Sequence, residues 1–234
     1  MNLQDLINIY EEKKKEKGRE AYRYVSEVLE QAKEVHEHDF LNSVTAKKAI
    51  EQGRTPDHEQ SWRAFKGKNL EGLIKHIVED EIRSIGLEII AGNILERSND
   101  DNLPKDLEKV KRNLLVNYGE FGYHLPDVDM VIYRPDTLEV VAVISSKVTL
   151  RERIAQTGYW KIKLASSKAT EHIKVFFVTP DEDGTLTKKT PAKKGRAIVE
   201  IDTDGSYVLS EAEVEESSKV KMLDKFIGDL RGLI

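Results

Sequence analysis

At residues 126–133 the chain carries the stretch Pro126-Asp127-Val128-Asp129-Met130-Val131-Ile132-Tyr133. A short turn at 134–137 separates this stretch from a second apolar run, Leu138 to Ile144, which ends in Ser145-Ser146-Lys147. Two apolar segments joined by a turn rich in Pro and Asp are typical of a β-hairpin. Acids open the first strand and a lysine closes the second. We therefore expect carboxylates and an ammonium group to meet at the open end of the hairpin.

Alternation along the two strands supports this expectation. Side chains two residues apart share a face, so Asp127 lies with Asp129 and Ser145 lies with Lys147. Carboxylate oxygens combined with water and phosphate suit Mg²⁺, and a nearby lysine can activate water or neutralise developing charge. The hairpin predicts metal-assisted hydrolysis of a phosphodiester. The alternative is an edge hairpin with a polar end.

A second carboxylate is predicted on a helix upstream. Residues 61–85 repeat apolar side chains at helical spacing, and Glu71 stands three residues before Ile74 and seven before Val78. It therefore lies at the margin of the apolar stripe, where it points towards the core or a cleft, or reaches solvent. In a catalytic role, Glu71 supplies the carboxylate that the hairpin lacks at Ser145.

The segment Arg151-Glu152-Arg153 follows the lysine by four residues. Arginine pairs bidentately with guanine and glutamate accepts from cytosine, so the segment suits the reading of G·C pairs, although it also suits a charged first turn of a helix. Residues 134–168 contain seven basic and three acidic residues, while the whole chain has a net charge of −5. Because the local field matters more than the total, we also take Lys161 and Lys163 as candidate DNA contacts.

Together these motifs resemble the type II restriction endonucleases of the PD-(D/E)XK superfamily, in particular the group whose sites contain CCGG, or CC and GG around a central base. In that group a lysine-bearing strand is followed within a few residues by Arg-(Asp/Glu)-Arg, and a small or polar residue such as Ser145 often replaces the acid before the lysine. The family's helical glutamate matches Glu71. Asp127 follows the proline of the motif, whereas Asp129 directly precedes the strand, and we prefer Asp129 as the metal ligand.

The resemblance implies a fold, a cofactor and an assembly. It implies an α/β (α+β) chain with a mixed central sheet flanked by helices, using Mg²⁺ to cut double-stranded DNA. A palindromic site implies a homodimer, whose symmetry mirrors that of the DNA. Two alternatives stay open: a non-specific repair or recombination nuclease with this fold, and an inactive DNA-binding protein.

The remaining sequence predicts two parts, an N-terminal helical subdomain at 1–57 and the catalytic domain at 58–234. Within the second part we expect a strand at 87–90, a loop at 93–102, helices at 106–116 and 151–168, and a strand at 173–178. We also expect 197–201 and 207–209 to be strands that flank a turn, and a closing helix at 211–230.

Composition excludes several classes of protein. The chain has no cysteine, so disulfides, zinc ribbons and thiol nucleophiles are excluded. It has no phosphate-binding glycine loop and no serine-hydrolase elbow, so neither a nucleotide cofactor nor Ser/His chemistry is expected. No apolar run approaches the length of a membrane span, and the first residues do not form a signal peptide. We therefore expect a cytoplasmic protein with no membrane partner.

Overall fold

A computed structural model describes residues 1–97, 103–149 and 153–234 of the chain. Residues 98–102 and 150–152 lie outside this description, and with them the predicted base-reading residues Arg151 and Glu152. No helix of the described residues is long and apolar enough to cross a membrane.

Helices make up the N-terminal third of the chain. They are α1 (Leu3–Lys17), a 3-10 helix (Gly18–Tyr24), α2 (Val25–Leu41), α3 (Val44–Glu51) and the long α4 (His58–Ser84). The N-termini of α1, α3 and α4 are capped by side chains: Asn2 forms a capping box with Asp5, and Ser43 and Asp57 cap α3 and α4. Helices α1 and α2 both pack on α4. The coil at 54–57 coincides with the proposed subdomain boundary.

A six-stranded mixed sheet follows. Its strands are β1 (Glu88–Ala91), β4 (Met130–Tyr133), β5 (Val140–Ser146), β6 (Lys174–Thr179), β7 (Gly205–Val208) and β8 (Val220–Met222), and they lie in that order. The first two pairings are antiparallel and the other three are parallel. Strands β2 (Val116–Asn117) and β3 (Tyr123–His124) form a separate small hairpin.

Helices cover the sheet on both faces, so alternate residues of the central strands enter two different cores. Ile132 and Ile144 pack with α1, α2 and α4, whereas Val131 and Val143 pack on the opposite side. The helices after α4 are α5 (Gly92–Arg97), α6 (Lys105–Leu114), α7 (Arg153–Ala165), α8 (Lys194–Asp202) and α9 (Phe226–Arg231). This layering fixes the hairpin β4–β5 between two packed layers.

The predicted hairpin, the long helix and the strands near 87–90, 173–178 and 207–209 are confirmed, but three expectations were wrong. Part of the expected loop at 93–102 is helix α5, because Leu95 gains full burial there. Residues 197–201 lie in helix α8, not in a strand. The β-branched residues suggested a strand, but a helix buries Val199 and Arg196 together, and the Arg196 guanidinium donates to the carbonyls of Leu186 and Glu215.

The third wrong expectation is the closing helix at 211–230. Only its last part is helical, as a 3-10 helix (Leu223–Lys225) followed by α9, and Val220 and Met222 alternate into the core as strand β8. The Ser217 hydroxyl accepts from the backbone amides of Lys219 and Val220, which makes a turn in the middle of the expected helix.

Candidate active site

Backbone contacts from two neighbouring segments hold Asp129 at the start of β4. Its N–H donates to the carbonyl of Ile144 at 3.0 Å, and its own carbonyl accepts from the N–H of Gly92 at 2.9 Å. Gly92 is required for this approach: a Cβ there would stand 1.9 Å from the carbonyl oxygen of Val128. The main chain around Asp129 is therefore fixed on both sides.

The side chain of Asp129 is bound by the end of β5. The Lys147 Nζ lies 3.0 Å from each carboxylate oxygen of Asp129, and the backbone N–H of Ser146 donates to Oδ2 at 2.5 Å. Only 12% of the Asp129 side chain is exposed. The meeting of acid and lysine expected at the open end of the hairpin is present.

Glu71 reaches the same ammonium group from α4. Its Oε1 lies 3.5 Å from the Lys147 Nζ, while the adjacent Leu70 is buried in the core. Burial, followed by the negative charge of Asp129, raises the pKa of Glu71 to about 7, against the opposing effect of Lys147. Two carboxylates thus share one ammonium in a partly desolvated site, and the excess negative charge favours a further cation.

These groups line a cavity of about 220 Å³ together with Asp127 and Ser145. Asp127 is held differently from Asp129: its Oδ2 accepts from the Gln156 Nε2 on α7 at 2.8 Å. Ser145 lies on β5 and is 9% exposed. The five catalytic or metal-binding residues predicted from the sequence therefore all border one cavity.

Two of the predicted DNA-contacting residues, Lys161 and Lys163, lie outside this cavity. The Lys161 Nζ pairs with Asp204 at 2.6 Å, and the Lys163 Nζ stands 4.7 Å from the centre of the Tyr118 ring. Neither lysine is among the residues that line the cavity. Arg153 begins α7, but the description of the structure does not extend to its side chain.

Sequence reasoning missed several residues that build this site, among them Gly92, Ser146 and Gln156. An isolated glycine directly after a predicted strand was a usable signal for Gly92. Gln156 carries no local signal, because its contact with Asp127 spans 29 positions of the chain.

The carboxylate oxygens of Glu71 and Asp129 suit a hard divalent cation. Within the described part of the chain, no group of three or more His, Cys, Asp and Glu side chains is placed to hold a metal. Mg²⁺ usually keeps several water ligands and takes further oxygens from a phosphate. Two carboxylates beside a polar cavity therefore suit Mg²⁺ better than a metal that needs all its ligands from the protein. Glu71 and Asp129 would hold it, and Asp127 lines the same cavity.

Sequence comparisons show that this chain is similar to restriction enzymes. The family model for the BsaWI restriction endonuclease type 2 matches residues 106–229. A Methanocaldococcus jannaschii protein assigned as type II restriction enzyme MjaVIP is 36% identical, covering 88% of this chain and 92% of its own length. A Helicobacter pylori protein assigned as type II restriction enzyme HpyAORF263P is 31% identical, covering 74% of this chain and 88% of its own length.

Comparisons by structure agree on the fold. Restriction endonuclease PspGI, solved with substrate DNA, has a TM-score of 0.59 at 14% identity, covering 100% of this chain and 93% of that one. The AgeI–DNA complex has a TM-score of 0.54 at 17% identity, covering 93% of this chain and 84% of that one. At such identities the likeness concerns the fold, and it confirms the expected mixed sheet flanked by helices.

Proposed function

We propose that this chain, which belongs to the BsaWI family of type II restriction endonucleases, hydrolyses duplex DNA at the cluster of Glu71, Asp129 and Lys147. The resemblance to type II restriction endonucleases seen in the sequence is confirmed, and the chain is a type II site-specific deoxyribonuclease. One observation carries the choice of site: a single ammonium group lies within 3.5 Å of two carboxylates from distant parts of the chain.

The roles follow from the chemistry of each group. Asp129 and Glu71 would hold Mg²⁺, which when bound polarises the phosphate and lowers the pKa of a water molecule. Lys147 orients the attacking water or neutralises charge on the phosphate in the transition state. Gln156 orients Asp127, whose exposed carboxylate faces the same cavity.

Digestion of plasmid DNA tests this function. With Mg²⁺ we expect discrete fragments, and with EDTA we expect none. A smear would indicate a non-specific nuclease and intact DNA a binding protein, and either result would contradict the proposal. The Lys147→Ala variant, compared with the exposed control Lys225→Ala, separates this enzyme from a contaminating nuclease.

The recognition site is the second part of the proposal. From the Arg151-Glu152-Arg153 segment we infer a palindrome that contains CCGG, or CC and GG split by one base. The fact that the chain is similar to enzymes solved on DNA supports a duplex substrate. Sequencing the fragment ends tests the site, and a mapped cleavage site without adjacent C·G pairs would contradict it.

We also propose a homodimer. Cutting both strands of a palindrome calls for two copies of the site related by a two-fold axis. Light scattering should give twice the mass of one chain, and a species that stays monomeric on DNA would overturn this part.

A further inference from the structure

We propose that a second groove, beside the catalytic cavity, takes the sugar–phosphate backbone of the DNA next to the cleaved bond, with its closest approach at Gly67 on α4. The groove has a volume of about 700 Å³. This inference rests on the proposed nuclease function and assigns a surface that none of the predicted DNA contacts include.

The groove is continuous with the active site. Glu71 and Lys147 line both the groove and the catalytic cavity. A strand whose phosphate reaches Lys147 must leave the cavity in some direction, and the groove opens directly from it. Val148 and Thr149, the residues that follow Lys147 in the chain, also line the groove.

The charge of the groove suits a phosphate backbone. Among the described residues that line the groove, the cations besides Lys147 are Arg63, Lys66 and Lys68, all on α4, and the acids are Glu71 and Glu182. From residue 63 to residue 68 a helix rises about 7.5 Å, which is the rise of about two nucleotides of one strand. Arg63 and Lys68 are exposed to solvent. Cations at this spacing can contact about two successive phosphates.

Gly67 is the observation that points to close contact. It stands in the interior of the 27-residue helix α4, where glycine is less favourable than alanine. Gly72 in the same helix has a packing reason, because a Cβ there would lie 2.6 Å from the Leu3 side chain. At Gly67, apart from the two neighbouring residues and the backbone of the same helix turns, no atom of the described residues lies within 4 Å of such a Cβ. A bound backbone that reaches the helix surface explains the missing side chain.

An ion pair crosses the groove. The Lys66 Nζ lies 3.0 Å and 3.3 Å from the two carboxylate oxygens of Glu182, a residue 116 positions away. A DNA phosphate can take the place of that carboxylate on Lys66. Glu182 therefore holds the lysine in the groove before DNA arrives and competes with the phosphate when it does.

Equilibrium binding tests the charge argument without needing cleavage. A short synthetic duplex without a CCGG sequence is titrated in EDTA by fluorescence anisotropy over a series of salt concentrations. Lys68→Gln should weaken binding and reduce the slope of log K against log salt by about 0.9. Glu182→Gln should strengthen binding by about two- to fivefold, since the competing ion pair is lost.

Two control variants make the same changes of net charge at residues outside the groove. Lys225 and Asp224 form an exposed ion pair at 2.9 Å that does not line the groove. Lys225→Gln should leave the salt slope unchanged, and Asp224→Asn should leave the affinity unchanged. Equal effects of the groove variants and their controls would mean that only net charge matters, and would overturn the inference.

A pair of glycine variants tests the close approach. Gly67→Ala and Gly228→Ala both place a methyl group in open space in a helix, so both should raise the melting temperature. Only Gly67→Ala should weaken duplex binding, and Gly67→Gln should weaken it further. A Gly67→Ala variant that is stabilised and binds as the wild type would overturn the inference.

The outcomes distinguish this inference from the function on which it rests. If the wild type cuts no DNA but the groove variants change binding as stated, the groove stands and the nuclease proposal fails. If the wild type cuts DNA and the groove variants bind like their controls, the groove fails alone. A wild type that does not bind the duplex at low salt would overturn both.

Discussion

The carbonyl oxygen of Val128 occupies the space in which a side chain of Gly92 would begin, 1.9 Å from the position of a Cβ. The next carbonyl, that of Asp129, accepts the N–H of the same glycine at 2.9 Å. The first turn of α5 and the entry to β4 thus touch without any intervening side chain. The position of the Asp129 carboxylate relative to Lys147 depends on this contact.

Gly92→Ala should therefore damage catalysis through the backbone. The methyl group cannot fit unless the segment at Val128 and Asp129 moves by about 1 Å, and a displacement of that size costs about 100-fold in rate. We also expect a loss of about 1–3 kcal/mol in the free energy of unfolding from overpacking. Single-turnover cleavage and urea unfolding measure the two effects. A folded Gly92→Ala enzyme that cuts at the wild-type rate would show that the contact is unimportant.

The two aspartates of the hairpin should differ in effect. Asp129 contacts Lys147 directly, whereas Asp127 contacts Gln156, so Asp129→Asn removes a charge from the centre of the cluster. We expect Asp129→Asn to slow cleavage by about 10²–10³-fold or more, and Asp127→Asn to slow it less. Rates over a range of Mg²⁺ concentrations measure both. The reverse order of severity would make Asp127 the principal metal ligand.

The raised pKa of Glu71 predicts a stability that depends on pH in the absence of metal. Its folded pKa of about 7 lies above the ordinary value of 4.5, so the folded state binds more protons in this range and stability falls as pH rises from about 4.5 to 7. Glu71→Gln has no charge to bury. It should be more stable than the wild type at pH 8 by about 1–2 kcal/mol, with the difference fading towards pH 4.5, and should lose cleavage.

Thermal melts in EDTA across this pH range measure the effect. Glu79→Gln on the same helix is the control, because Glu79 pairs with Lys75 and Arg83, and its loss should give no gain at pH 8. A Glu71→Gln variant that is less stable than the wild type at pH 8 would show that the pairing with Lys147 outweighs the burial of the carboxylate.

The cluster was predictable because its signals are local. Strand alternation placed Asp129 and Lys147 together, and helical spacing placed Glu71 at the edge of an apolar stripe. Gln156 and the groove at Gly67 arise from packing between distant segments, which a single sequence does not reveal. Helix α8 was mistaken for a strand for the same reason: the burial of Arg196 against carbonyls of other segments outweighs the local preference of its β-branched neighbours.

The specificity prediction concerns Arg151 and Arg153. Each arginine that pairs bidentately with a guanine contributes about 1–3 kcal/mol of discrimination, so Arg151→Ala or Arg153→Ala should weaken binding to a CCGG duplex by about ten- to a hundredfold. The affinity for a duplex without that sequence should change little, because contacts with the phosphates supply most of that affinity. Arg231→Ala removes the same charge from the exposed end of α9 and should leave the ratio of the two affinities unchanged. Both affinities are measured with Ca²⁺ in place of Mg²⁺. A double variant, Arg151→Ala with Arg153→Ala, that still cuts the same sequence at the wild-type rate would place sequence recognition elsewhere in the chain.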